Sequence, residues 1–185
     1  MIDETLLEAE DKMNKAIEMA KDEFATIRTG AASAAMFAKL IVDYYGSPTP
    51  LQQLASISTP DARTVLIAPY DRGSMGNIET ALRASELGVN PNNDGSVIRI
   101  NMPQLTEERR KDYVKVARHK AEDAKVSVRN LRRKAKDEID EAVKAGGVGE
   151  DEGTRGEKEL DAITKRHTDA IDALLAHKES ELLEV

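Results

Sequence analysis

Residues 106–145 read TEERRKDYVKVARHKAEDAKVSVRNLRRKAKDEIDEAVKA, and their spacing decides the fold. Val114, Ala117, Ala121, Ala124, Val128, Leu131 and Ala135 recur at steps of three and four, which draws one apolar stripe down a helix. Thr106 suits the N-cap position, and Glu107 and Glu108 suit the positive end of the helix dipole. A helix with a single apolar face is unstable alone, so this one needs partners of similar length.

The flanking sequence supplies them. Ile2, Leu6, Ala9, Met13, Ala16, Ala20, Phe24 and Ile27 keep the same period, in a helix expected to stop at Arg28-Thr29-Gly30 with Gly30 left-handed at its end. After the interhelical turn Gly146-Gly147-Val148-Gly149, Glu150, Asp151 and Glu152 open a third helix with its stripe at Leu160, Ile163, His167, Ala170, Leu174 and Leu182. Gly153 and Gly156 are expected to weaken its start, each by about 1 kcal/mol relative to Ala. A long three-helix bundle of residues 1–29 and 105–185 follows.

Residues 31–104 have a different character, for all six prolines lie there, between short β-rich runs. Strands are predicted at Leu40 to Tyr45, Leu54 to Ser58, Thr64 to Ala68 and Val97 to Met102, and a helix from Ser74 to Leu87 closed by Gly88. Tyr44-Tyr45-Gly46 reads as a strand end and its turn. The fold class is α+β, a helix bundle with a small β/α/β domain (31–103) inserted. Chain crossings near residues 30 and 104, at Thr29, Gly30, Gln104, Leu105 and Thr106, make a paired hinge.

Composition narrows the chemistry. The chain has 185 residues, 40% hydrophobic but only 3% aromatic, which favours thin helix packing lined by Ala and Leu. With no cysteine it lacks disulfides, thiolate ligands and a thiol nucleophile. The acidic start Met1-Ile2-Asp3-Glu4, and the lack of any long apolar run, predict a cytoplasmic protein without membrane contact. His119, His167 and His177 have no base or ligand partners arranged with them, so no metal, cofactor or catalytic residue is expected. The Gly146–Gly149 run lacks the context of a phosphate loop.

Net charge is −7, but it is unevenly distributed. Residues 105–145 hold 13 basic against 9 acidic side chains, net +4, while residues 1–30 and 146–185 are net −4 and −6. At 100° per residue Lys111, Arg118, Lys125, Arg129 and Lys136 fall within about 40° of one another, flanked by Arg132 and Arg133. A charge run is often just a solvated helix face, but here the acidic remainder argues for a dedicated anion-binding surface. Such a row suits an RNA backbone, read by phosphate and shape, since aromatic residues for base stacking are few. A helical adaptor pairing with another coiled coil is the alternative, and its binding would survive high salt.

Five separated motifs stand in order: Ile27-Arg28-Thr29-Gly30, Asp43-Tyr44-Tyr45-Gly46-Ser47-Pro48-Thr49-Pro50-Leu51, Leu87-Gly88-Val89-Asn90-Pro91, Pro103-Gln104-Leu105-Thr106-Glu107-Glu108-Arg109-Arg110-Lys111 and Val128-Arg129-Asn130-Leu131-Arg132-Arg133. Together they resemble the bacterial ribosome recycling factor family along essentially the whole chain. The resemblance implies an L-shaped molecule, similar in outline to transfer RNA, that works with elongation factor G and GTP to split the ribosome after termination. The GTPase would be the partner's. It further implies that Arg132, with Arg129 and Arg133, binds large-subunit ribosomal RNA, with Arg110 and Arg28 as further contacts. The protein is expected to be a monomer that binds no DNA. One position departs from the pattern: the family usually continues Arg-Thr-Gly with Arg, and this chain has Ala31.

Overall fold

A computed structural model describes residues 1–184. Its elements run α1 (Ile2–Ala25), β1 (Ile41–Tyr44), β2 (Ser47–Pro50), β3 (Ala55–Asp61), β4 (Thr64–Pro69), α2 (Met75–Ala84), β5 (Pro91–Asn93), β6 (Ile98–Asn101), α3 (Glu107–Lys144) and α4 (Glu150–Leu183), with three short 3-10 turns. The chain forms two compact units, Met1–Phe24 with Val116–Glu179, and Ala25–Lys115 with Ser180–Val185. Among the described residues no helix is long and apolar enough to cross a membrane.

The first unit is a three-helix core. Leu6, Ala9, Met13, Ile17 and Ala20 of α1 are buried with Ala117, Ala121, Val128, Ala135 and Ile139 of α3 and Leu160, Ile163 and Ile171 of α4. Small side chains on α3 keep this core thin, as the shortage of aromatic residues requires. α3 ends in a Schellman motif, in which Gly147 N–H reaches Ala142 O (3.2 Å) and Gly146 N–H reaches Val143 O (3.1 Å), with Gly146 left-handed at φ +78°. The next helix starts in Glu150, Asp151 and Glu152, acids that suit its positive end.

Gly153 and Gly156 have a role beyond weakening α4. A Cβ on Gly153 would stand 2.5 Å from Val143 Cγ2, and one on Gly156 would stand 2.8 Å from Ile2 Cγ2. Glycine therefore lets α4 approach its neighbours closely, a packing requirement that outweighs its poor helix propensity.

The second unit holds both sheets. β1 and β2 form a hairpin, and the other strands form an antiparallel sheet in the order β3-β4-β6-β5. Alternation on β6 puts Ile98 and Ile100 inside and Arg99 and Asn101 outside. These meet Val65 and Ile67 of β4, Ile78 and Leu82 of α2, and Phe37, Val42 and Leu51, all fully buried.

Several sequence expectations need correction here. β2 and β5 are additional strands, overlooked because Pro48, Pro50 and Pro91 argue against strand; both are edge strands, where a missing N–H is tolerated. α2 stops at Ala84 rather than Leu87, because Ser85 turns extended and its Oγ–H donates to Leu82 O at 2.7 Å. α1 ends at Ala25, and Gly30 is not among the left-handed residues, so no glycine cap closes it. Instead Ile27, Arg28 and Thr29 continue as irregular, buried chain.

Candidate nucleic-acid interface

Thr106 caps α3 as its sequence suggests, its Oγ1 accepting from Arg109 N–H at 3.1 Å. From there the basic residues run along the helix, and the structure sorts them by what they touch.

On the side toward α4 they meet carboxylates. Arg118 Nε donates to Glu179 (2.7 Å), Arg132 Nε donates to Asp161 (2.7 Å), and Lys125 pairs with Asp172. Lys136 lies 2.9 Å from Asp140 and 3.9 Å from Glu157, and the hydrogen bond to Asp140 raises its pKa above the ordinary lysine value. Arg129, further round the helix, bonds Glu122 one heptad back at 3.0 Å, and Lys111 lies 3.6 Å from Glu107. Arg133 is exposed. Pairs buried in the core would defeat phosphate binding, but these lie at the surface. Arg118 and Arg129 keep 65% and 51% of their side-chain area exposed, and Arg132 keeps 32%. Exposed pairs of this kind contribute about 0–1 kcal/mol each, so a polyanion can displace or share them.

Sequence reasoning missed the acids of α4. Their signal is present in the spacing, since Lys125 follows Arg118 by the same seven residues that separate Asp172 from Glu179. Antiparallel helices bring such matched series face to face.

Two cations named from the resemblance are placed otherwise, both in the second unit. Arg28 is 6% exposed, and its Nε and Nη2 have no hydrogen-bond partner among the described residues. Burial pulls its guanidinium below the ordinary arginine value, Tyr113 opposes that shift, and Arg109 adds to it. Arg110 Nη1 donates to the carbonyls of Leu182 and Glu184, and Arg109 lies over the Tyr113 ring at 5.7 Å. Arg110 is thus half-buried and holds two carbonyls at the end of the chain's last helix, while Arg28 lies in the interior of this unit. Leu105 and Thr29 are buried there, Gly30 and Gln104 are exposed, and Thr29 Oγ1 donates to Ala31 O at 3.3 Å.

The histidines do not converge. His167 is buried in the first unit with Nδ1 2.7 Å from Ile163 O and Nε2 2.7 Å from Asn14 Oδ1. A neutral ring satisfies both when the Asn14 amide turns its NH2 toward Nε2. His119 is exposed, 3.4 Å from Asp123. Among the described residues no group of three His, Asp or Glu side chains could hold a metal ion.

A helical bundle unit whose α3 carries a row of surface cations, together with a separate unit holding both sheets and a short helix, defines the class as an α+β protein. The family model described as "Ribosome recycling factor" matches residues 20–183, and the chain belongs to that family. It is 69% identical to the ribosome-recycling factor of Kineococcus radiotolerans and 67% identical to that of Beutenbergia cavernae, in each case over 100% of both chains. Among solved structures it is similar to the solution structure of a ribosome recycling factor, at 40% identity and a TM-score of 0.77, covering 100% of this chain and 98% of that one. A second similar structure, with 40% identity, a TM-score of 0.67 and full coverage of both chains, is the T. thermophilus factor in models of it and E. coli elongation factor G bound to the E. coli post-termination complex.

Proposed function

We propose that this chain recycles ribosomes: with elongation factor G and GTP it disassembles the post-termination complex, releasing subunits, messenger RNA and transfer RNA. The end-to-end 69% identity to a ribosome-recycling factor carries this reading. A similar structure accompanied by elongation factor G on the post-termination complex supports the choice of partner. In this reading the chain is a monomeric, cytoplasmic factor with no catalytic group of its own, and the GTPase is the partner's.

The outer face of α3 binds large-subunit RNA through Arg129, Arg132 and Arg133, with Lys111, Arg118 and Lys125 extending the row. Support comes from the +4 charge of residues 105–145 within a chain of net −7, and from the surface position of these cations. In this reading the elongation factor moves the second unit as a body, because the joints expected at Thr29-Gly30 and Gln104-Leu105-Thr106 lie inside that unit, whose borders fall after Phe24 and after Lys115. Arg28 acts as a structural cation rather than an RNA contact, because it is buried inside the second unit, and Arg110 is engaged there by the carbonyls of Leu182 and Glu184.

The test is polysome breakdown by the purified chain with elongation factor G and GTP, each omitted in turn, alongside R132E. Breakdown requires all three components, and R132E raises the dose needed by about tenfold or more, the scale of a lost charge-assisted phosphate contact. Breakdown without elongation factor G, or an unaltered dose for R132E, rules the reading out.

A further inference from the structure

Two arginines of α3 meet carboxylates of α4 in the same way, and that way leaves one edge of each unused. Arg132 and Arg118 each donate Nε–H to an α4 carboxylate at 2.7 Å, to Asp161 and Glu179 respectively. In neither does an Nη nitrogen hydrogen-bond within the described residues. Arg129 is the contrast, since it engages Glu122 through Nη1.

A guanidinium is planar, so fixing Nε fixes where its terminal Nη1–Nη2 fork points. That fork is the edge that matches two phosphate oxygens at once. Arg132 is only partly exposed, yet the only buried side-chain nitrogens without a partner among the described residues are those of Arg28. The Arg132 fork therefore reaches solvent while its Nε is pinned. An arginine free in solution loses many rotamers when it docks, and one already held loses few.

Resting on the reading that α3 binds ribosomal RNA, we propose that Asp161 is a positioning residue, which pins Arg132 by Nε and presents its Nη fork to a single phosphate. The claim runs against simple electrostatics. On charge alone, deleting a carboxylate beside a polyanion-binding surface tightens binding. On positioning, deletion loosens it.

The experiment compares the wild type, D161A, D161N and R132A for affinity to purified ribosomes across a salt series. D161A weakens binding about fivefold, the cost of freeing one long side chain. It also keeps the wild-type salt slope, because Arg132 still contacts its phosphate. D161N binds at least as tightly as the wild type, since its Oδ1 still accepts the Nε–H without the negative charge. R132A lowers the slope by about 0.7–0.9, one phosphate's worth. An exposed pair adds little to stability, so melting curves of all variants should stay close to the wild type. D161A binding as tightly as the wild type, or more tightly, overturns the proposal. If R132A also leaves affinity and slope unchanged, the RNA face itself is misassigned; if R132A weakens binding and D161A does not, only the positioning role fails.

Discussion

Three donors converge on the carboxylate of Asp71: Gly73 N–H at 2.9 Å, and the hydroxyls of Tyr45 at 2.9 Å and Tyr44 at 3.2 Å. They depend on a turn in which Tyr45 takes φ +49° and Gly46 φ +86°, the left-handed pair that closes a two-residue hairpin between β1 and β2. Asp43 accepts Gly46 N–H at 2.7 Å across the same turn. The Gly73 amide is the chief reason that the Asp71 pKa lies below its ordinary value, the Tyr45 and then the Tyr44 hydroxyl adding to it while burial opposes. A carboxylate depressed in the folded state adds stability above its unfolded pKa, and that contribution disappears as pH falls through the folded value. D71N is therefore expected to unfold at lower urea than the wild type near pH 6, with the gap closing below about pH 4. Urea titrations of both proteins at about pH 6 and pH 3 check this; a gap of constant size would mean that the charge on Asp71 is not what the turn uses.

Among the elements, α4 shows how packing overrides propensity. An alanine at Gly156 gains about 1 kcal/mol of helix propensity. It also places a methyl 2.8 Å from Ile2 Cγ2 and 3.7 Å from Ile139 Cδ1, an overlap that costs roughly 1–3 kcal/mol when the neighbours must shift. G156A is thus expected to melt about 2–4 °C below the wild type. A higher melting temperature, followed by circular dichroism at 222 nm, would show that α1 yields freely there and that the glycine is dispensable. The opposite face of α4 carries Asp161, Asp172 and Glu179, so one helix both closes the core and holds the cations of α3.

For the whole molecule, the acidic excess outside residues 105–145 disfavours a polyanion there, so the RNA face proposed on α3 would tie ribosome affinity to few contacts. If three phosphates are neutralised, raising salt from 50 to 200 mM should weaken ribosome binding about 20- to 40-fold. Filter binding across that range tests it, and salt-independent binding would instead favour the coiled-coil adaptor reading. The three long helices, the break at Gly146, the inward face of β6 and the basic row on α3 were all legible from the order of residues. Each depends on period, turn chemistry or charge, which act between near neighbours in the chain. The edge strands β2 and β5, the early stops of α1 and α2, the burial of Arg28 and the pairing of Arg132 with Asp161 were decided only by tertiary structure. Each turns on which distant group arrives to accept a hydrogen bond, leave an edge open or exclude water, and spacing along one helix does not carry that information.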